Sequence, residues 1–188
     1  MTEIELNGVS MQFKTARHLF SPKGLDSGTG FMLSCVDFTQ EDKVLDLGCG
    51  YGVVGIYAAK RIGPHRVTMS DIDEAAVALA KENARLNGVS GITVVRSDGF
   101  RGIDYAGYTL ILSNPPYHTD FSVARHFIEK GFNRLAVGGR MVMVTKRRDW
   151  YQNKLRSIFG GVTVKEAGGY FVFIAEKRSA SYAKRPSR

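Results

Sequence analysis

Asn114, Pro115, Pro116 and Tyr117 stand in a row behind the apolar run Thr109 to Leu112. Two prolines remove two backbone donors and stiffen the chain, which leaves carbonyl oxygens to face a cavity beside an amide and an aromatic ring. Acceptors grouped in this way suit a planar substrate that carries an NH2 group. The Asn114 oxygen and the Pro115 carbonyl take its hydrogens, and Tyr117 stacks on its ring. The plainer alternative is a polyproline turn with a solvent-facing tyrosine. His118, next in line, could touch substrate or relay a proton, although an exposed loop histidine is commoner.

Three other clusters close apolar runs in the same manner. Val44 to Leu47 leads into Gly48-Cys49-Gly50-Tyr51-Gly52, a glycine turn that lets backbone approach a ligand closely. The spacing is GxGxG: Val53 stands where the nicotinamide fingerprint has its third glycine, and no Gly-Lys-Ser/Thr follows to make a phosphate loop. A tight strand-to-helix turn is the structural alternative. Asp71 lies 19 residues beyond Gly52, near the offset of about 20 at which an acid takes a ribose diol. Its neighbour Asp73 is explained as a helix cap, which leaves Asp71 for the ribose. Asp98, in Ser97-Asp98-Gly99-Phe100, could hold an adenine or belong to an ordinary turn. Cys49 fits as a small side chain in its loop rather than as a nucleophile. Lys146-Arg147-Arg148 is the best phosphate-contact cluster, with a solvated basic helix start as its rival, while Trp150 and Tyr151 read as core or rim.

Such clusters do chemistry only if a scaffold brings them together. The runs Val44 to Leu47, Val67 to Met69, Ile92 to Val95, Thr109 to Leu112 and Met141 to Val144 alternate with helical patterns near 53–61, 73–86, 121–136 and 149–159. Continuous apolar strands of this kind belong to a parallel sheet covered on both faces, and ligands bind such sheets beyond the strands' carboxyl ends. Val162 to Glu166, Gly168-Gly169 and Tyr170 to Glu176 read as a hairpin that gives the sheet an antiparallel edge. The expected fold is therefore α/β and Rossmann-like. Residues 3–14 read as short strands, and residues 20–30 as a Gly/Ser/Pro-rich loop before the apolar face Phe31, Met32, Cys35 and Val36.

The 188 residues suit one domain over 1–176, with residues 1–30 as N-terminal strands and lid and 177–188 as a basic, flexible tail. A net charge of +8 favours a polyanionic partner, with nucleic acid first. Cys35 and Cys49 offer neither a disulfide framework nor zinc spacing, and His18, His65 and His126 have no metal-ligand spacing, so no metal is expected. No apolar stretch approaches a membrane span and no secretory leader is visible, which places the expected location in the cytoplasm, with no membrane partner.

The combination of Asp46 to Gly52, Asp71, Asp98 and Asn114-Pro115-Pro116-Tyr117 resembles the class I S-adenosylmethionine-dependent methyltransferases of the small-domain type over residues 10–176. The segment Phe20 to Thr29 and His118 behind the NPPY are similar to bacterial 16S ribosomal RNA guanine-N2 methyltransferases. This resemblance implies S-adenosylmethionine as cofactor, held by Asp46, Gly48, Cys49, Gly50, Gly52, Asp71, Ile72, Asp98, Gly99, Phe100 and Asn114. It implies methyl transfer at Asn114, Pro115, Pro116 and Tyr117, and RNA contacts at Phe20, His118, Lys146, Arg147 and Arg148. The expected acceptor is guanine N2 of ribosomal RNA, free or in a ribosomal subunit; adenine N6 and a protein glutamine are the enzymatic alternatives, and a noncatalytic RNA-binding module the third. Without a separate recognition domain, the chain would either form a homodimer or rely on its N-terminal segment and basic tail.

Overall fold

In a computed structural model, which describes residues 1–15, 25–116 and 120–183, the central strands divide their side chains between two cores. Pleating sends successive residues to opposite faces. In β3 (Val44–Leu47) and β6 (Tyr108–Ser113), Val44, Leu110 and Leu112 join one core, and Leu45, Leu47 and Ile111 join the other. The first core is covered by α1 (Ser27–Ser34), α2 (Val53–Ile62) and α3 (Glu74–Leu86), and the second by α4 (Ser122–Arg134) and α5 (Arg148–Phe159).

With β4 (Val67–Asp71), β5 (Thr93–Arg96), β7 (Leu135–Thr145), β8 (Thr163–Ala167) and β9 (Tyr170–Glu176), the sheet runs β5-β4-β3-β6-β7-β9-β8. Strands β5, β4, β3, β6 and β7 are parallel, and β9 pairs antiparallel with both β7 and β8. This is the expected Rossmann-like sheet with its antiparallel hairpin. Gly168 and Gly169 both have positive φ, the backbone that a two-residue hairpin loop requires. Chain order reverses direction between β3 and β6, so the crevice at their carboxyl ends is where the architecture places a ligand.

Two expectations are corrected. The region read as a loop through residue 30 already contains α1 from Ser27. Gly28 and Gly30 lowered its apparent helix propensity, but the Asp26 carboxylate accepts from the Thr29 amide at 2.8 Å and caps the helix. Packing demands the first of those glycines, since a Cβ on Gly28 would lie 2.6 Å from the Tyr170 ring. The helix expected over 121–136 ends at Arg134, and Leu135 already begins β7. That strand is longer than its apolar stretch because its register shifts between Leu135, opposite Tyr108, and Arg140, opposite Leu110.

The N-terminal strands β1 (Thr2–Leu6) and β2 (Val9–Phe13) form a separate antiparallel hairpin tied to α3 by two asparagines one helical turn apart. Asn83 accepts from the Lys14 amide at 2.8 Å and donates to the carbonyls of Lys14 and Tyr51; Asn87 does the same for the Gln12 amide and carbonyl. Fully buried Asn83 thus fastens hairpin, helix and glycine loop together. At the other end of the chain, Lys177, Tyr182 and Ala183 of the expected basic tail are tied to the body of the fold. The Lys177 ammonium is buried and donates to the Leu135 carbonyl at 2.8 Å, and the Tyr182 ring packs edge-on against Phe132. Among the described residues, no helix is long and apolar enough to cross a membrane.

Candidate active site

Beyond the carboxyl ends of β3, β4, β5 and β6 the chain encloses a cavity of about 360 Å³, within the range of small-molecule sites. Its first wall is the turn after β3, where Gly48, Gly50 and Gly52 all have positive φ. Non-glycine residues rarely adopt that backbone, so the turn needs them. The Gly48 and Cys49 amides donate to the Ser70 carbonyl at 2.9 Å each, which fixes the turn against β4.

Asp46 faces the same side of β3 as Val44, toward α2. Its carboxylate accepts from the Gly55 amide at 2.8 Å, satisfying a first-turn N–H that the helix's own N-cap, Gly52, has no side chain to reach. A Cβ on Gly55 would stand 2.3 Å from Met69, so only glycine lets the helix come this close. Burial pushes the Asp46 carboxyl up to about 7, against the Gly55 hydrogen bond and with some help from the Asp71 charge. The Cys49 thiol is raised well above its ordinary value, first by burial and then by Asp46, which makes it an inert lining group.

The second wall follows β4. Asp71 accepts from the Gly50 amide at 2.8 Å and from the Asp73 amide at 3.0 Å, and Asp73 in turn caps α3 by accepting from Ala75 at 2.9 Å. Ile72 lines the cavity beside them while 61% exposed, an apolar face left largely open by the described residues. Asp98 and Gly99 close the far side, and the Ser97 hydroxyl holds their turn through the Gly99 and Arg101 carbonyls. Ser70, also in the wall, has a buried hydroxyl with no hydrogen-bond partner among the described residues.

Asn114, Pro115 and Pro116 form the opposite wall at the end of β6, held there by the Ser113 hydroxyl, which donates to the Leu47 carbonyl at 2.7 Å. Asn114 Nδ2 donates to Asp26 Oδ2 and to Thr29 Oγ1, at 3.0 Å each. What the amide has left to offer a ligand is its carbonyl oxygen.

Eleven of the nineteen expected site residues converge. Asp46, Gly48, Cys49, Gly50, Asp71, Ile72, Asp98, Gly99, Asn114, Pro115 and Pro116 share one cavity. Gly52 and Phe100 stand outside its wall: Gly52 packs toward Ile56 and Met69, and Phe100 is buried in the second core. Lys146, Arg147 and Arg148 are exposed at the same end of the sheet but off the cavity, over the rings of Tyr170, Phe121 and Phe171. Phe20, Tyr117 and His118 lie outside the described residues. Leu25, Asp26 and Thr29 were not foreseen as cavity residues; the readable signal was Asp26 three residues ahead of a threonine, the spacing of a helix cap.

Charge is the cavity's most distinctive property. Asp26, Asp46, Asp71, Asp73 and Asp98 stand in its wall, and no lysine, arginine or histidine does among the described residues. In a chain of net charge +8, that is a local inversion. It favours a small ligand carrying positive charge, with hydroxyls for Asp71 and an apolar ring face for Ile72.

Comparison with known proteins gives the same direction. The family model for the methyltransferase small domain matches residues 10–174. An uncharacterized protein of Bacillus subtilis, YbxB, is 30% identical over 92% of this chain and 89% of its own length. A ribosomal RNA small subunit methyltransferase C of Pseudomonas putida is 34% identical over 92% of this chain but only 53% of its own length. The chain therefore spans about half the length of the ribosomal RNA methyltransferases it matches. Among solved structures, the 16S rRNA N2 G1207 methyltransferase of T. Thermophilus, in complex with AdoMet and guanosine, superimposes with a TM-score of 0.85 at 24% identity, covering 94% of this chain and 50% of that one.

Proposed function

This chain belongs to the methyltransferase small-domain family, and we propose that it transfers a methyl group from S-adenosylmethionine to an exocyclic amino nitrogen, the N2 of a guanine in ribosomal RNA. The observation that carries the reading is the acidic cavity, lined by no cationic side chain among the described residues and closed at one side by Asn114 and Pro115. The wall fits the cofactor's chemistry group by group. In this reading Asp71 takes a ribose diol, Ile72 and Asp98 an adenine, and the glycine turn with Asp46 the charged methionine portion. The partnerless Ser70 hydroxyl adds a polar group that a ligand would satisfy.

When bound, S-adenosylmethionine supplies an electrophilic methyl carbon on a sulfonium. The protein's tasks are then positional and electrostatic. The lone pair of a guanine amino group is delocalised into the ring; acceptors at Asn114 and Pro115 draw its two hydrogens and favour a localised, aimed lone pair. Asn114 and Pro115 would thus hold the amino nitrogen against the methyl group that the cofactor would supply, and the proton that the nitrogen must lose on transfer would pass to water. No strong base is required beforehand. To bring its amino group to Asn114 in the cavity wall, a base must be unpaired or flipped out of its helix. Exposed Lys146, Arg147 and Arg148, at the same end of the sheet, supply the phosphate contacts that hold the RNA. The named relatives support ribosomal RNA as the substrate class.

The test is incubation with labelled S-adenosylmethionine and ribosomal RNA or small subunits from cells lacking this protein, followed by nucleoside mass spectrometry. Labelled N2-methylguanosine is the expected product. Labelled N6-methyladenosine, or cofactor binding with no labelled nucleoside, would overturn the assigned acceptor.

A further inference from the structure

We infer that Asp26 and Thr29 are positioning residues for the methyl-acceptor site, fixing which end of the Asn114 amide meets the substrate. This rests on the proposed amino-group methylation. The two ends of an asparagine amide are nearly the same shape but opposite in hydrogen-bonding character. Turned one way, Asn114 offers an oxygen to a substrate NH2; turned the other, it sets donors against donors. A carboxylate can only accept, so the 3.0 Å contact between Asn114 Nδ2 and Asp26 Oδ2 permits one orientation. Thr29 Oγ1 accepts from the same nitrogen at 3.0 Å and can spend its own hydrogen on Asp26 Oδ2 at 3.3 Å. Drawing positive charge onto Nδ2 also leaves the Asn114 oxygen a stronger acceptor.

The carboxylate is itself held from two sides. Asp26 Oδ2 caps α1 through the Thr29 amide at 2.8 Å, and Oδ1 accepts from the Tyr170 hydroxyl at 3.3 Å. Gly28 leaves the room for that ring to close on Asp26. Lys146 lies 4.9 Å above the same ring, so the network reaches from the acceptor amide to the basic cluster. A helix cap alone needs none of these contacts with Asn114 and Tyr170. Residues far apart in the chain converge here because the end of β6, the start of β9 and the start of α1 meet at one place.

Asp26→Ser separates positioning from capping, since serine caps a helix as well as aspartate does, whereas its hydroxyl, able both to donate and to accept, no longer imposes one orientation on the Asn114 amide. Thr29→Val removes the hydroxyl at nearly constant shape, and Thr29→Ser restores it. With RNA as substrate, Asp26→Ser should lower kcat roughly 100-fold, the scale of a misplaced reacting group. S-adenosylmethionine should still bind, and the melting temperature should stay near the wild-type value. Thr29→Val should fall in the same sense and Thr29→Ser should recover. Independently of activity, the Asn114 side-chain amide proton resonances should move toward those of a solvated amide in Asp26→Ser. Unmoved resonances, or an unchanged kcat in an active wild type, would overturn the inference. Wild-type protein that methylates no RNA would defeat the functional reading instead, and the resonances would still decide the role of Asp26.

Discussion

Two cavities of similar size open at opposite ends of the same sheet. The one at the carboxyl ends has about 360 Å³ and an acidic wall; the one at the amino ends has about 390 Å³ and contains Lys43, His65 and Arg66 against a single acid, Asp104. At the carboxyl ends, side chains are held by hydrogen bonds that leave defined functions facing inward: Asp71 on two amides, Asn114 on Asp26 and Thr29. At the amino ends, Lys43 lies 5.3 Å above the Tyr105 ring, itself 43% exposed. Volume does not distinguish the two. What does is convergence of fixed acceptors, which parallel βα connections bring to the carboxyl ends of their strands.

The largest effect expected from breaking that arrangement is at Asn114. Asn114→Ala should lower kcat by roughly 100- to 1,000-fold, the scale for removing one preorganised polar group, while S-adenosylmethionine still binds. Retention of most activity in a steady-state assay would refute its role. Asp71→Ala should weaken cofactor affinity by about 10- to 100-fold, as expected for losing charge-assisted hydrogen bonds. Calorimetry that finds the affinity unchanged would place the ribose elsewhere.

Asp46 sharpens the contrast through pH. Its carboxyl, pushed up to about 7 by burial, is half protonated near neutrality, and only its ionised form attracts a cationic ligand. Cofactor affinity should therefore rise as pH increases through about 7 and then level off. The stability of the ligand-free fold has the opposite sign. The folded carboxyl holds a proton that the unfolded one releases near pH 4, so its contribution is fully present below that value and is lost as pH rises through about 7. Asp46→Asn should flatten both dependences, in calorimetric titrations and in thermal melts respectively.

Smaller effects belong outside the cavity. Neutralising Lys146, Arg147 and Arg148 should weaken RNA binding and reduce its salt slope by about 0.7 for each phosphate that the cluster neutralises, without altering cofactor affinity. An unchanged slope would remove the cluster from the RNA path. Lys43→Ala with Arg66→Ala should change neither cofactor affinity nor kcat.

The fold was legible because its signals are local. Continuous apolar strands, the Asp73 cap and the Gly168-Gly169 turn each state their geometry within a few residues. Most of the cavity was legible for the same reason, since every cluster follows the strand that presents it. Asp26 was not, because its site partner Asn114 is 88 positions away and only the packing of α1 against the sheet brings them together. Gly52 and Phe100 were assigned to the ligand by their neighbours in sequence; in the fold, each turns to a packing task. The docking of Lys177 was hidden too, because a basic run near a chain end has the composition of a free arm.

The contrast between the two cavities is tested most directly by titrating isotopically labelled protein with S-adenosylmethionine and following backbone amides and the Asn114 side-chain amide by NMR. Saturable shifts at Gly48, Gly50, Ile72, Gly99 and Asn114, with Lys43, His65 and Tyr105 unmoved, are the result expected of an acidic cofactor site at the carboxyl ends. Saturable shifts confined to Lys43, His65 and Tyr105 would contradict it.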